Sequence, residues 1–405
     1  VTVPGTASPK SIVIVGGGIL GLAVAREVMC VRPGIEVTVV EKEDHVAAHQ
    51  SGHNSGVVHA GLYYKPKSLK AVLCRRGGGL LRSFCDEHAV PYRELGKLVV
   101  ASSQEELTGL ASIEERARRN GVPDLVRLDR AGMRDVEPFV EGVAALHSPH
   151  TAVVDYIAVC QALVRSIEEL GGRVLLSSPA HSIREVANGI EVLAGNELLR
   201  TERAIVCAGL SSDATARMVG DPGDVRIVPF RGEYYALRPR VRDQVRGLIY
   251  PVPDPRYPFL GVHLTRTVHD EVLVGPNAIM ALSYEGYRWR DAKLDDLARI
   301  ARWPGTLGLA RVHWRTAARE LLASLSKRVF AEHARRYLPN LGSSDLVRAR
   351  AGVRAQAVDR AGGLLDDFVL QNSGRVLLVR NAPSPAATSS LAIAEHVVSS
   401  MLKSA

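Results

Sequence analysis

Residues 11–41 constrain this chain more than any other stretch. Ser11–Val15 is a short β-rich apolar run, too brief for a helix and closed by glycine, so it reads as a buried strand. Gly16, Gly18 and Gly21 follow in the spacing G-x-G-x-x-G, and residues 22–29 then have helical composition. Gly16 permits the tight turn, Gly18 lets a pyrophosphate approach the backbone, and Gly21 lets the helix lie close on the sheet. The helix start offers N–H groups and the positive end of its dipole to phosphate. A second strand, Glu36–Val40, leads to Glu41, about 20–25 residues beyond the glycines, where such units place a ribose-binding carboxylate. A glycine-rich turn alone would say little. The full order of strand, glycines, helix, strand and acid predicts an adenine dinucleotide, and an acid at 41 argues against the 2′-phosphate of NADP.

At 405 residues there is room for two domains with substantial cores. Hydrophobic content of 46% and charged content of 23% are those of a soluble globular protein. The net charge of +8 is scattered in short pairs, with no basic tail and no aromatic interleaving, so a nucleic-acid partner is not expected. A basic face still suits an anionic substrate or peripheral contact with an anionic membrane. The five cysteines (Cys30, Cys74, Cys85, Cys160, Cys207) form no C-x-x-C, which fits a reducing compartment and argues against a disulfide framework or zinc ribbon. Residues 1–10 hold no signal-like apolar core, and no apolar run approaches the roughly 18 residues that span a bilayer. The expected location is cytoplasmic, at most peripheral to the inner face of a membrane.

Beyond Glu41 lies a polar, glycine-broken stretch, 42–64, with His45, His49, His53 and His59. The first three are spaced four apart, which on a helix would imitate a metal site, but Gly52 and Gly56 break a helix and no cysteine completes a ligand set. We read a cofactor-facing loop and expect no metal. Residues 69–88 read as a helix although Gly77, Gly78 and Gly79 lower its intrinsic helicity. A strand over 97–102 then leads into a polar helix over 104–119, and the pattern changes enough to place a domain crossing near 96. After a strand at 143–147, Asp155 can cap a helix to about residue 170. Short strands over 173–199 and an apolar strand over 204–210 follow; at Gly209 the backbone can either pass close to a flat or phosphorylated ligand or simply turn. Residues 221–344 differ: proline-rich strands (228–235, 249–251, 259–265, 271–274) precede a helical block over 294–337, as in an inserted substrate domain. A buried strand at 376–379 runs into 380–390 and a closing helix, 391–402, with Thr388 and Ser389 as N-caps.

Six segments together resemble a known family: HQSGHNSGVVHAGLYY (49–64), SPHTAVVDY (148–156), PFRGEY (229–234), YPVPD (250–254), GVRAQA (352–357) and NAPSPAATSS (381–390). They are similar to the L-2-hydroxyglutarate oxidase/dehydrogenase branch of the FAD-dependent D-amino-acid-oxidase-like superfamily, and the similarity runs from about residue 11 to 400. The resemblance implies an α/β fold: a Rossmann-type FAD-binding domain (1–95, 150–220 and 345–405) with an inserted α+β substrate domain on an antiparallel sheet (96–149 and 221–344). It also implies FAD as cofactor and oxidation of L-2-hydroxyglutarate to 2-oxoglutarate. Hydride would leave C2 for flavin N5, and electrons would pass to oxygen, a quinone or another acceptor. An oxidase of the same superfamily acting on an amine, an amino acid or another 2-hydroxy acid is the alternative.

Such chemistry needs a base for the hydroxyl proton and cations for a small dicarboxylate. A neutral histidine is the natural base, His59 first and His263 second. Arginine's planar fork suits a carboxylate, and Arg354 and Arg231 lie within the shared motifs. Tyr64, Tyr235 and Tyr250 can donate hydrogen bonds. The expected cofactor contacts are Gly16, Gly18, Gly21 and Glu41, then His53, Asn54, Ser55 and Gly56, then Gly209 and the turn of Pro385, Ala386, Ala387, Thr388 and Ser389.

Overall fold

In the computed structural model, which describes residues 9–221, 223–254, 261–324 and 326–403, strand β1 (Ser11–Val15) lies inside a six-stranded sheet. It pairs in parallel with β2 (Glu36–Val40) on one side and with Arg203–Val206 on the other. Arg173–Leu175 extends the sheet beyond β2, and Val376–Asn381 with antiparallel Val369–Ser373 extends it the other way. β1 is apolar on both faces because both faces are covered. Ile12 and Ile14 point to the helices α1 (Ile19–Val31), Tyr156–Glu169 and Ser390–Lys403, whereas Val13 and Val15 point to an antiparallel meander, Ala180–Val186, Gly189–Ala194 and Glu197–Thr201. This is the two-residue alternation of a strand, and each such side chain contributes roughly 1.5–3 kcal/mol by leaving water.

The second body is built on an eight-stranded sheet that runs from Leu346–Arg348 through Tyr235–Leu237, Val272–Gly275, His263–Arg266, Leu248–Pro251, Lys97–Ala101 and Ala144–Ser148 to Val126–Leu128. All its pairs are antiparallel except Leu248–Pro251 with Lys97–Ala101. Lys327–Arg335 packs Phe330, Ala331 and Ala334 against it. A smaller sheet, Ile279–Met280, Val225–Gly232 and Gly352–Asp359, carries the helices Leu294–Ala301 and Pro304–Ser324.

Three expectations need correction here. The strands Leu346–Arg348 and Gly352–Asp359, allotted above to the nucleotide-binding domain, hydrogen-bond instead to Tyr235–Leu237 and Val225–Gly232. The single strand expected over 228–235 is two, in different sheets, split after Gly232. Of the strand expected over 259–265, Phe259 and Leu260 lie outside the described residues, and the observed strand is His263–Arg266. The helix over 69–88 forms as Leu69–Glu87, with Ser68 Oγ accepting from Ala71 N at 3.2 Å. Among the described residues no helix is long and apolar enough to cross a membrane.

Candidate active site

The fingerprint turn works as its residue types require. A Cβ on Gly16 (φ +114°) would lie 2.4 Å from the Cys207 carbonyl oxygen, and one on Gly21 would lie 1.9 Å from the Gly16 oxygen, so only glycine lets α1 approach β1 this closely. Gly17 N–H donates to Glu41 Oε2 at 2.7 Å and Glu43 N–H to Glu41 Oε1 at 3.0 Å, which orients the buried carboxylate at the end of β2. Ser51 Oγ accepts from Ile19 N–H at 2.9 Å, so one helix-start donor is already used. The N–H groups of Gly18 and Leu20 have no partner among the described residues and lie on the wall of a cavity of about 1140 Å³.

That cavity is continuous from Gly16, Gly18 and Glu41, past His53, Asn54, Ser55, Gly209 and Pro385–Thr388, to a second lobe at His59, Lys97, Tyr250, His263 and Arg354. Thr388 ties the two ends together. Its hydroxyl accepts from His59 N–H at 3.1 Å, bonds to Val57 O at 3.3 Å, and meets Tyr156 OH at 3.2 Å. It therefore holds the 57–59 backbone and does not cap the closing helix. Ser389 Oγ is buried without a partner among the described residues and lies off the cavity wall, so neither hydroxyl acts as the expected cap.

The second lobe is short of negative charge. His263 is 6% exposed, and its Nδ1 lies 3.1 Å from Gly261 O. A carbonyl only accepts, so Nδ1 carries the proton and Nε2 keeps its lone pair. Burial first, then Lys97 and Arg354, holds this imidazole down to about 3. His59 is pushed well below the ordinary range by burial, then by Lys97, His263 and Lys70. Arg354 hydrogen-bonds to the Tyr234 hydroxyl. Lys97 is 1% exposed, with Nζ 4.1 Å above the Tyr250 ring, whose centroid is 3.9 Å from that of His263. Tyr250 is thus a platform beneath a cation. Tyr64 lines the lobe with Lys70 over its ring at 5.4 Å.

Residues 11–400 match the FAD dependent oxidoreductase family. The chain belongs to this family. It is 42% identical over 393 residues to an L-2-hydroxyglutarate dehydrogenase of Indibacter alkaliphilus, covering 97% of this chain and 98% of the relative. It is 41% identical over 403 residues to the mitochondrial L-2-hydroxyglutarate dehydrogenase of Homo sapiens, covering 95% and 87%. Among solved structures it is similar in fold to an L-alpha-glycerophosphate oxidase of Mycoplasma pneumoniae with FAD bound (TM-score 0.78, 21% identity, 96% of this chain and 94% of that one). A glycine oxidase of Geobacillus kaustophilus also shares the fold (TM-score 0.73, 16% identity, 98% and 95%).

The residues present fit FAD. The unclaimed N–H groups at the start of α1, the oriented Glu41 carboxylate and the room above Gly18, where an added Cβ would meet only Ser51 Oγ at 3.3 Å, suit the diphosphate and ribose. Gly209 (φ +51°) and the turn from Pro385 to Thr388 line the same cavity.

Of the other expected residues, Arg231, Tyr235 and Gly56 stand off the cavity wall, and Asn54 and His53 lie on it. Arg231 is 1% exposed, paired to Glu233 at 3.3 Å and stacked on Trp289, and it does not line the cavity. The register explains this: Arg354 faces Phe230 across the pair, so Arg231, one residue on, points to the opposite face. Tyr235 packs on Phe330 with ring centroids 4.8 Å apart, in the core under the large sheet. Gly56 (φ +72°) serves its turn, where a Cβ would lie 2.8 Å from Val154 O. Asn54 spends its amide on the same turn, donating to Gln50 O and Ser51 O and accepting from Gly56 N–H. His45, His49 and His53 lie in turns, not on a helix, and His49 sits with Glu43 and Glu285 around the Lys42 ammonium. Sequence reasoning gave no site role to Lys97, Ser51, Tyr234 or Gly77, although Ser51 and Tyr234 lie within the shared motifs and Gly77 within the glycine run of its helix. Lys97 left a local trace of its own: a lysine heading an otherwise apolar strand.

Proposed function

We propose that this enzyme oxidises the C2 hydroxyl of L-2-hydroxyglutarate to the ketone of 2-oxoglutarate. The observation that carries this reading is one cavity lobe holding a neutral histidine acceptor, His263, between two cations, Arg354 and Lys97. The names of the relatives at 41–42% identity point to the same substrate. Bound FAD would supply the two-electron sink, its electrons passing on to oxygen, a quinone or another acceptor. Arg354, steadied by Tyr234, donates two parallel N–H bonds to the C1 carboxylate and so fixes the orientation of C2. His263 Nε2 accepts the hydroxyl proton while Gly261 O holds the ring through Nδ1. Before substrate arrives, burial and the two nearby cations keep that imidazole neutral. A dianion offsets those cations and raises the proton affinity of Nε2 at the moment the proton must move.

The test is anaerobic reduction of the FAD-loaded protein. L-2-hydroxyglutarate should bleach the flavin band, and D-2-hydroxyglutarate, glycerol 3-phosphate and glycine should leave it. Bleaching by glycerol 3-phosphate or glycine, and not by L-2-hydroxyglutarate, overturns the assignment.

A further inference from the structure

We propose that Lys97 binds the distal carboxylate of the substrate and thereby selects a diacid over a 2-hydroxy monoacid. This rests on the L-2-hydroxyglutarate reading. Lys97 opens a strand whose other four residues are apolar and buried, and it is itself 1% exposed. It makes no hydrogen bond or ion pair among the described residues; its Nζ lies over the rings of Tyr250 at 4.1 Å and Tyr63 at 5.6 Å. Burying an ammonium is costly unless a counter-charge meets it.

The groups around Lys97 supply no such charge. The loop before Leu69–Glu87 brings His59 and Tyr63, and that helix brings Lys70 and Cys74. The neighbouring strands bring Tyr250 and His263, with Arg354 beyond. Burial pushes the Cys74 thiol up to about 12, so it stays protonated, and both imidazoles are held neutral. Lys70 already has Asp366 at 2.7 Å. The missing anion therefore has to arrive with the ligand. Residue type divides the labour: the reacting end needs the bidentate fork of arginine, whereas the far end needs only charge, which lysine delivers on a flexible stem. Burial also holds the Lys97 ammonium down to about 7, so above that pH Lys97 itself is largely uncharged in the empty lobe.

The experiment uses the FAD-loaded protein and its Lys97→Met variant, with ligand binding read from the perturbation of the flavin spectrum. For 2-oxoglutarate the variant's dissociation constant should rise about 100-fold, and for the monoacid 2-oxobutanoate it should stay within about threefold; Lys97→Arg should recover most of the diacid affinity. Calorimetry of the unaltered protein at pH 8, in two buffers of different ionisation enthalpy, keeps the test independent of how the variant folds. Close to one proton should be taken up per 2-oxoglutarate bound and close to none per 2-oxobutanoate. Equal losses for the two acids, or no difference in proton uptake, overturn the assignment of Lys97 while the substrate reading stands. Failure of L-2-hydroxyglutarate to reduce the unaltered enzyme removes that reading and this proposal with it.

Discussion

Three consecutive glycines in one helix should respond to the same substitution with opposite signs. Gly77, Gly78 and Gly79 lie mid-helix in Leu69–Glu87. A Cβ on Gly78 or Gly79 meets nothing within 4 Å, whereas one on Gly77 would lie 2.6 Å from both Ser389 Cα and Thr388 O. Alanine at 78 or 79 should therefore realise only its better helix propensity, stabilising by about 0.5–1 kcal/mol each. Gly77→Ala has the same propensity gain but must force apart two backbones, at a cost of about 1–3 kcal/mol. With an unfolding entropy near 2.1 cal/mol/K per residue, 1 kcal/mol moves the midpoint of this chain by about 1 °C. The expected shifts in a thermal scan of the FAD-loaded protein are about +1 °C for Gly78→Ala and Gly79→Ala and about −1 °C or lower for Gly77→Ala. A second readout is sharper. The backbone that Gly77→Ala displaces carries the Thr388 hydroxyl bonds to His59, Val57 and Tyr156 beside the cofactor cavity. FAD release, followed by recovery of free-flavin fluorescence on dilution, should become at least threefold more favourable in that variant alone. If Gly77→Ala is as stable and holds FAD as tightly as Gly78→Ala, the close approach of this helix to the 388–389 turn is refuted.

Three further outcomes follow, two of them from the site. His263→Asn should lower kcat by about 10²–10⁴-fold while leaving the 2-oxoglutarate dissociation constant nearly unchanged, and His59→Asn should cost less; the reverse order makes His59 the base. The same residue carries a pH signature. With His263 near 3 in the fold and near 6.5 when unfolded, the unfolded chain binds the extra proton between those values. Its contribution is thus present above about pH 6.5 and lost as pH falls toward 3, at up to about 1.4 kcal/mol per pH unit. The asparagine variant should lose less stability than the unaltered protein when urea unfolding at pH 5 is compared with pH 7, and equal losses remove His263 as a buried neutral imidazole. Arg231→Met should act on the fold, since it strips Glu233 of a buried partner at 3.3 Å. Glu233 keeps Arg348 at 3.3 Å and the Ser324 hydroxyl, so unfolding in urea should show a loss of about 1–3 kcal/mol, with KM for L-2-hydroxyglutarate within about twofold. A large rise in KM without destabilisation would return Arg231 to the substrate.

The opening unit was legible because its chemistry is local. Turn, helix start and terminal acid lie within residues 11–41, and the close approach that requires Gly21 is to the Gly16 carbonyl five residues back. The same locality made Asp155 readable as a cap, with its Oδ1 accepting from Ile157 and Ala158 N–H. Locality also misled. Thr388 and Ser389 precede a helix as caps do, yet the Thr388 hydroxyl is claimed by Val57, His59 and Tyr156, more than 200 residues distant in sequence.

From the residue pattern came the dinucleotide-binding unit, and from the motifs shared with a known family the α/β architecture and the histidines, arginines and tyrosines among which the chemistry had to be found. Tertiary structure decided which of them share a cavity. Pairing register turned Arg354 inward and Arg231 away, since side chains alternate along a strand and a shift of one position reverses the face. Burial, a property of the packed whole, left Lys97 without a counter-charge and His263 neutral, and no stretch of sequence carries that information by itself.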